Sequence, residues 1–113
     1  MATIHWRTCT IPSAQAVSDA IDVRGYSVVG VLLPAAWTAA SLTFQGSADG
    51  SNFGYLSDST GAEISVASPG ATKLVNFSAS WFQACGWIRL VSGPNAAVIP
   101  QAASRSLVVI LSA

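Results

Sequence analysis

The sequence predicts an all-β domain, an antiparallel sandwich of the jelly-roll kind with about eight strands. Three observations carry that expectation. Glycine, proline and Asp/Asn recur roughly every eight to twelve residues, the cadence of sandwiches and barrels. The runs between them are rich in β-branched and aromatic residues, and Ser41-Leu42-Thr43-Phe44-Gln45 alternates with the period of two that marks a half-buried strand. No stretch sustains the 3.6-residue apolar stripe of an amphipathic helix; Pro34–Ala40 and Ala79–Ala84 have room for a turn or two.

Taken along the chain, residues 1–19 form either an N-terminal arm or the first strand, and residues 20–113 form a single sandwich domain. Ile21–Arg24 reads as a short strand ended by Gly25. Ser27–Leu33 is stopped by Pro34, which has no N–H to give to a ladder. In Ser41–Gln45 the alternation places Leu42 and Phe44 inward and Ser41, Thr43 and Gln45 outward. Asp49-Gly50 predicts a type I′ hairpin turn, in which both central residues take positive φ, with Phe53–Leu56 as the return strand. Turns at Asp58-Ser59-Thr60-Gly61 and Ser68-Pro69-Gly70 bracket strands at Glu63–Val66 and Lys73–Phe77. Trp87–Val91 closes on Ser92-Gly93-Pro94-Asn95, and Ser106–Leu111 is the last strand.

Two of these strands depart from simple alternation. Val28-Val29-Gly30-Val31-Leu32-Leu33 and Leu107-Val108-Val109-Ile110-Leu111 are apolar at odd and even positions alike. A strand apolar on both sides should be covered on both sides, and two layers cover only one. A loop or the N-terminal segment is one possible cover; another subunit is the other. The composition favours a subunit: 51% of residues are hydrophobic but only 9% are charged, against about 25% in an average domain. So uncharged a surface is poorly protected from sticking to other proteins. Ile4, Trp6, Val28, Leu32, Trp37, Val108 and Ile110 are the candidate contact residues, Trp37 because it lies in an Ala-rich loop.

Composition excludes more than it identifies. The chain of 113 residues has room for one core and is too hydrophobic for disorder. Net charge is zero and the ten charges stand singly, so no basic stripe exists to hold nucleic acid. The longest apolar stretch, Val28–Trp37, is broken by Pro34 and is too short to span a bilayer, so no membrane partner is expected. Met1–Arg7 lacks the basic start and apolar run of a signal peptide, which points to a cytosolic origin. Cys9 and Cys85 are accordingly expected as free thiols.

No catalytic constellation is legible, and no enzyme is expected. The single histidine, His5, has no Gly-x-Ser-x-Gly elbow to accompany it. One histidine and two distant cysteines do not make a zinc site, and Asp49, Asn52 and Asp58 lack the spacing of a calcium loop. No cofactor or metal is called for. The tryptophans and tyrosines read as core or interface residues rather than as a sugar-stacking platform.

Three stretches carry a resemblance. Pro34–Gly50 (PAAWTAASLTFQGSADG), Gly86–Gly93 (GWIRLVSG) and Gln101–Leu107 (QAASRSL) resemble small structural proteins of tailed bacteriophages. The Ser47–Phe53 hairpin is also similar to discoidin-like jelly rolls, a match that speaks to fold. The phage resemblance implies a capsid decoration or cement protein on the virion surface, made in the host bacterial cytoplasm. Its partners would be the major capsid protein and itself, as a homotrimer. A tail or head-fibre module that binds host carbohydrate or receptor is the alternative.

Overall fold

The computed structural model describes residues 3–67 and 69–113. Eight strands follow one another: β1 (Ile4–Ile11), β2 (Ile21–Asp22), β3 (Ser27–Leu32), β4 (Leu42–Ser47), β5 (Gly54–Tyr55), β6 (Leu74–Asn76), β7 (Trp87–Ser92) and β8 (Arg105–Ser112). A single 3-10 turn, Ala79–Phe82, precedes β7. One four-stranded sheet has the order β1-β8-β3-β6 and the other β2-β7-β4-β5, with every neighbour antiparallel. β4 pairs with β5, β3 with β6, β2 with β7 and β1 with β8, so the chain is one long hairpin rolled into two layers. This is the jelly-roll sandwich expected from the sequence.

Alternation builds the core. β8 is the plainest case: Leu107, Val109 and Leu111 are buried, with Val108 and Ile110 half-buried on the other side. β4 and β7 contribute Leu42, Phe44, Ile88 and Leu90 from the facing sheet. Phe77 and Phe82 pack edge-on against Phe44, at 5.3 and 5.1 Å between ring centroids. Such pairs add to the apolar burial that holds the layers together.

β3 gains its two-sided appearance partly from a register shift. Val28 pairs with Leu111 and Gly30 with Ile110, which leaves Val29 as an extra residue. The bulge puts both Val28 and Val31 inward, three residues apart. Gly30 lies where a Cβ would sit 2.6 Å from the Val75 carbonyl oxygen, so β6 can approach only a glycine.

Several expectations are corrected. Glu63–Val66 forms no strand; it is held by isolated bridges, Ser57 to Glu63 and Leu42 to Val66. Asp49-Gly50 is not a type I′ turn. Gly50 has φ +82°, but Asp49 is absent from the positive-φ residues. Ser47–Phe53 is instead a wider loop, folded around the Asp49 carboxylate, which accepts the N–H groups of Ser51 and Asn52 at 2.8 and 2.9 Å. Thr43, expected outward, faces outward and is buried there: its hydroxyl donates to the Gly93 carbonyl at 2.7 Å. The expected turn at Ser68-Pro69-Gly70 is described only from Pro69, because Ser68, like Met1 and Ala2, lies outside the described residues.

Candidate interaction surface

The outer side of the β1-β8-β3-β6 sheet is assembled by register. Trp6 stands beside Ile110, and Thr8 beside Val108. Val108 in turn neighbours Leu32, and Leu32 neighbours Leu74. These side chains share one face because residues at even positions of β1 and β8 point away from the core. Ile4, Trp6, Leu32 and Leu74 are exposed by 56, 64, 41 and 61%. No charged residue belongs to the set. The result is an apolar stripe that crosses all four strands, on a face whose remaining positions include Thr8, Thr10, Ser106 and Asn76.

Five of the seven candidate contact residues therefore meet on one face: Ile4, Trp6, Leu32, Val108 and Ile110. Two do not. Trp37 is only 7% exposed and Val28 only 2%, so both belong to this chain's own core. The Trp37 indole N–H donates to the Ala40 carbonyl at 3.3 Å. Leu74 was missed. Its place beside Leu32 depends on the pairing of β6 with β3, which local pattern does not reveal.

The three stretches that carry the phage resemblance converge at a different place. Gln101 is buried, and its side-chain oxygen accepts the Thr38 N–H at 2.9 Å and the Arg105 Nε–H at 3.2 Å. Its side-chain nitrogen donates to the Thr38 carbonyl at 3.2 Å and the Ser92 hydroxyl at 2.8 Å. Its backbone pairs with Ala14 and Gln15 at 2.9 Å each. Every donor and acceptor of this glutamine is satisfied. Gln101 thus locks four segments together, and the motif residues Thr38, Ser92, Gln101 and Arg105 act as a structural clasp.

The remaining polar groups are engaged locally. Arg24 forms a two-pronged pair with Asp22, at 3.0 and 2.7 Å, and lies over the Trp87 ring at 4.3 Å. The guanidinium holds the Asp22 carboxyl down to about 2. Backbone N–H groups at the tip of the Ser47–Phe53 loop hold Asp49 well below the usual carboxylate range. The Thr60 hydroxyl, with nearby backbone N–H groups, lowers Asp58 in the same direction. A shallow hollow of about 490 Å³ is lined by Arg24, Tyr26, Ser27, Gln83 and Ser112 among others. The cation that lines it is already taken up by Asp22 and Trp87.

Cys9 and Cys85 are free thiols. Burial pushes the Cys9 thiol up to about 11 and raises Cys85 as well, which disfavours the reactive thiolate. Among the described residues, no group of three or more His, Cys, Asp or Glu side chains is placed to hold a metal ion. No helix among them is long and apolar enough to cross a membrane. Comparison of the chain with protein-family models, with curated proteins and with solved structures finds no match.

Proposed function

We propose that this protein is a non-catalytic structural component of a virion, a decoration or cement protein that seats on the head of a tailed bacteriophage. One observation carries the reading: an uncharged apolar stripe, led by Trp6 and Leu74, lies open across an entire sheet of an otherwise well-packed sandwich. Monomeric proteins rarely leave contiguous apolar patches larger than a few hundred Å² uncovered, and large ones mark interaction sites. Tryptophan is the residue type most enriched where such surfaces bind tightly. The phage assignment itself rests on the resemblance of residues 34–50, 86–93 and 101–107.

In this role the major capsid protein is the partner, and the apolar face supplies the contact. A protein that binds only the assembled shell stabilises that shell, and many copies add up although each contact is modest. The test compares particles of the encoding phage with and without this protein for heat-induced release of DNA. Decorated particles should hold their DNA to a higher temperature, and Trp6→Lys with Leu74→Lys should abolish both binding and protection. Equal release temperatures would remove the cement reading and leave a host-contacting fibre module in its place.

A further inference from the structure

We infer that β1 is a pairing edge for a second copy of this chain, which joins two sandwiches into a continuous eight-stranded sheet about a twofold axis near Trp6. The inference rests on the proposed use of the apolar face and explains how that face becomes large enough.

The hydrogen-bond pattern of β1 is the first support. Thr3 and Ala113 exchange both backbone bonds, at 3.1 and 2.9 Å, next to the Ile4–Ser112 pair. In an antiparallel ladder the bonded pairs alternate. His5, Arg7, Cys9 and Ile11 therefore direct their N–H and C=O groups toward β8, while Ile4, Trp6, Thr8 and Thr10 direct theirs to the open edge. Thr10 is already capped there: its N–H donates to the Asp19 carboxylate at 2.7 Å, and its carbonyl accepts the Asp19 N–H at 3.3 Å. Ile4 and Thr8 have no backbone partner on that edge among the described residues. The Trp6 carbonyl accepts only the Arg7 guanidinium, at 3.0 Å, and keeps a second lone pair.

The free stretch is thus Ile4–Thr8, centred on Trp6, and it is bounded by the Asp19 cap. An antiparallel copy fits it in one register, Trp6 opposite Trp6 and Ile4 opposite Thr8, with about six new backbone hydrogen bonds. Long edges of this kind pair readily unless charge, proline or a bulge protects them. β1 has no proline or bulge, and its one full charge, Arg7, lies over Tyr26 at 5.2 Å and touches the edge at the Trp6 carbonyl. In this register Arg7 comes opposite His5 of the second copy, so no two guanidinium groups stand directly opposite.

Area is the second support. Four strands of up to eight residues present roughly 19 by 26 Å, about 500 Å². A stable interface takes about 800 Å² from each partner. One sheet falls short of that; two joined edge to edge offer about 1,000 Å² in one plane. Twofold pairing yields a dimer rather than the trimer that the resemblance implies.

Light scattering on the purified protein at micromolar concentration tests the pairing. The wild type should be a dimer. Thr8→Pro removes an edge-facing N–H without touching the β8 ladder, and should raise the dissociation constant at least tenfold while leaving the circular dichroism spectrum unchanged. Should Thr8→Pro misfold, Trp6→Lys serves instead: the side chain is exposed, and the twofold axis sets two ammonium groups face to face. Leu74→Lys, at the far edge of the same sheet, should remain a dimer. A monomeric wild type, a trimer, or a dimer that withstands both β1 substitutions would overturn the pairing. Binding of the same samples to particles separates the two ideas. A monomeric wild type that still decorates capsids sinks the pairing alone, whereas a dimeric wild type that does not decorate sinks the proposed function.

Discussion

On the second sheet Trp87 lies under Arg24, Arg89 lies with its guanidinium 3.8 Å from the centre of the Phe53 ring, and Thr43 is covered where its hydroxyl meets Gly93. On the first sheet Trp6, Leu32 and Leu74 are exposed. Both outer faces carry large apolar or aromatic groups at alternate positions. They differ in what the chain folds back over them. The loops after β4 and β7 return across the β2-β7-β4-β5 sheet and complete it internally. Nothing comparable returns across β1-β8-β3-β6 among the described residues. The same alternation therefore makes a closed surface on one side and an open one on the other, and the open side is where a partner gains most.

The largest expected effect tests the clasp beneath the covered side. Gln101→Leu leaves the Thr38 N–H and the Ser92 hydroxyl without partners and frees the loop that runs from Gly93 back to β8. Each buried polar group left unpaired costs about 1–3 kcal/mol. A loss of roughly 3 kcal/mol should lower Tm by about 10 °C in a domain of this size. Thermal unfolding checks it; a fall of a degree or two would mean that the clasp does not hold the cover in place.

Gly50→Val should come next. Gly50 has φ +82°, and a Cβ there would sit between 3.1 and 3.3 Å from the Trp87 ring. Backbone strain for a β-branched residue in that region adds to the crowding, about 1–3 kcal/mol in all. Because Asp49 does not share the positive φ, Gly50→Asn should recover most of the loss on the backbone side, since asparagine tolerates this conformation. Denaturant titration of both variants separates strain from crowding.

The open face should respond in the opposite way. Trp6→Ser and Leu74→Ser remove exposed side chains that pack on little, so stability should change by no more than about 0.5 kcal/mol. Binding of a hydrophobic dye should fall in both, and self-association in Trp6→Ser but not in Leu74→Ser. If these variants melted several degrees lower, the face would be part of the fold and not a surface held open for a partner.

The comparison also shows what a local pattern can and cannot reveal. Leu107, Val109 and Leu111 against Val108 and Ile110 gave both the strand and its two apolar sides, because period-two burial is a property of the strand itself. Val28 and Val31 defeated the same rule. A bulge at Val29 is a feature of pairing with β8, so the parity of β3 changes midway without a local sign. Glu63–Val66 has strand-like residues but finds only isolated bridges, since Leu42 and Ser57 offer it no continuous edge. Trp37 reads as exposed from its Ala-rich surroundings, yet it joins the core cluster, a packing that its own segment does not announce. Gln101 carries no local sign of its role. Its partners Thr38 and Ala14 are distant in sequence, and nothing within its own segment announces them. The open face was legible through Ile4, Trp6 and the last strand; its completion by Leu74 required the sheet order.

The smallest effect concerns acid, and it again divides the two sides. Asp22, Asp49 and Asp58, all held below the usual carboxylate range, lie on β2 or in the loops that flank β5, within or beside the second sheet. A carboxylate whose folded value is depressed contributes stability that is complete above its unfolded value, near 3.9, and is lost as pH falls through the folded value. For Asp22 the window runs from 3.8 down to about 2. All three groups are exposed, so solvent screens them and the global loss should be slight. The local consequence is sharper. The amides of Ser51 and Asn52 are bonded to Asp49, and those of Thr60 and Ala62 to Asp58. As pH falls below 4 and through the folded values of these two carboxyls, hydrogen exchange corrected for intrinsic rate should lose protection at these four amides first. The amides of Arg7, Val109 and Leu111, in the β1–β8 ladder, should keep theirs. Simultaneous loss on both sides would mean that the loops covering the second sheet are held by its apolar contacts and not by their carboxylates.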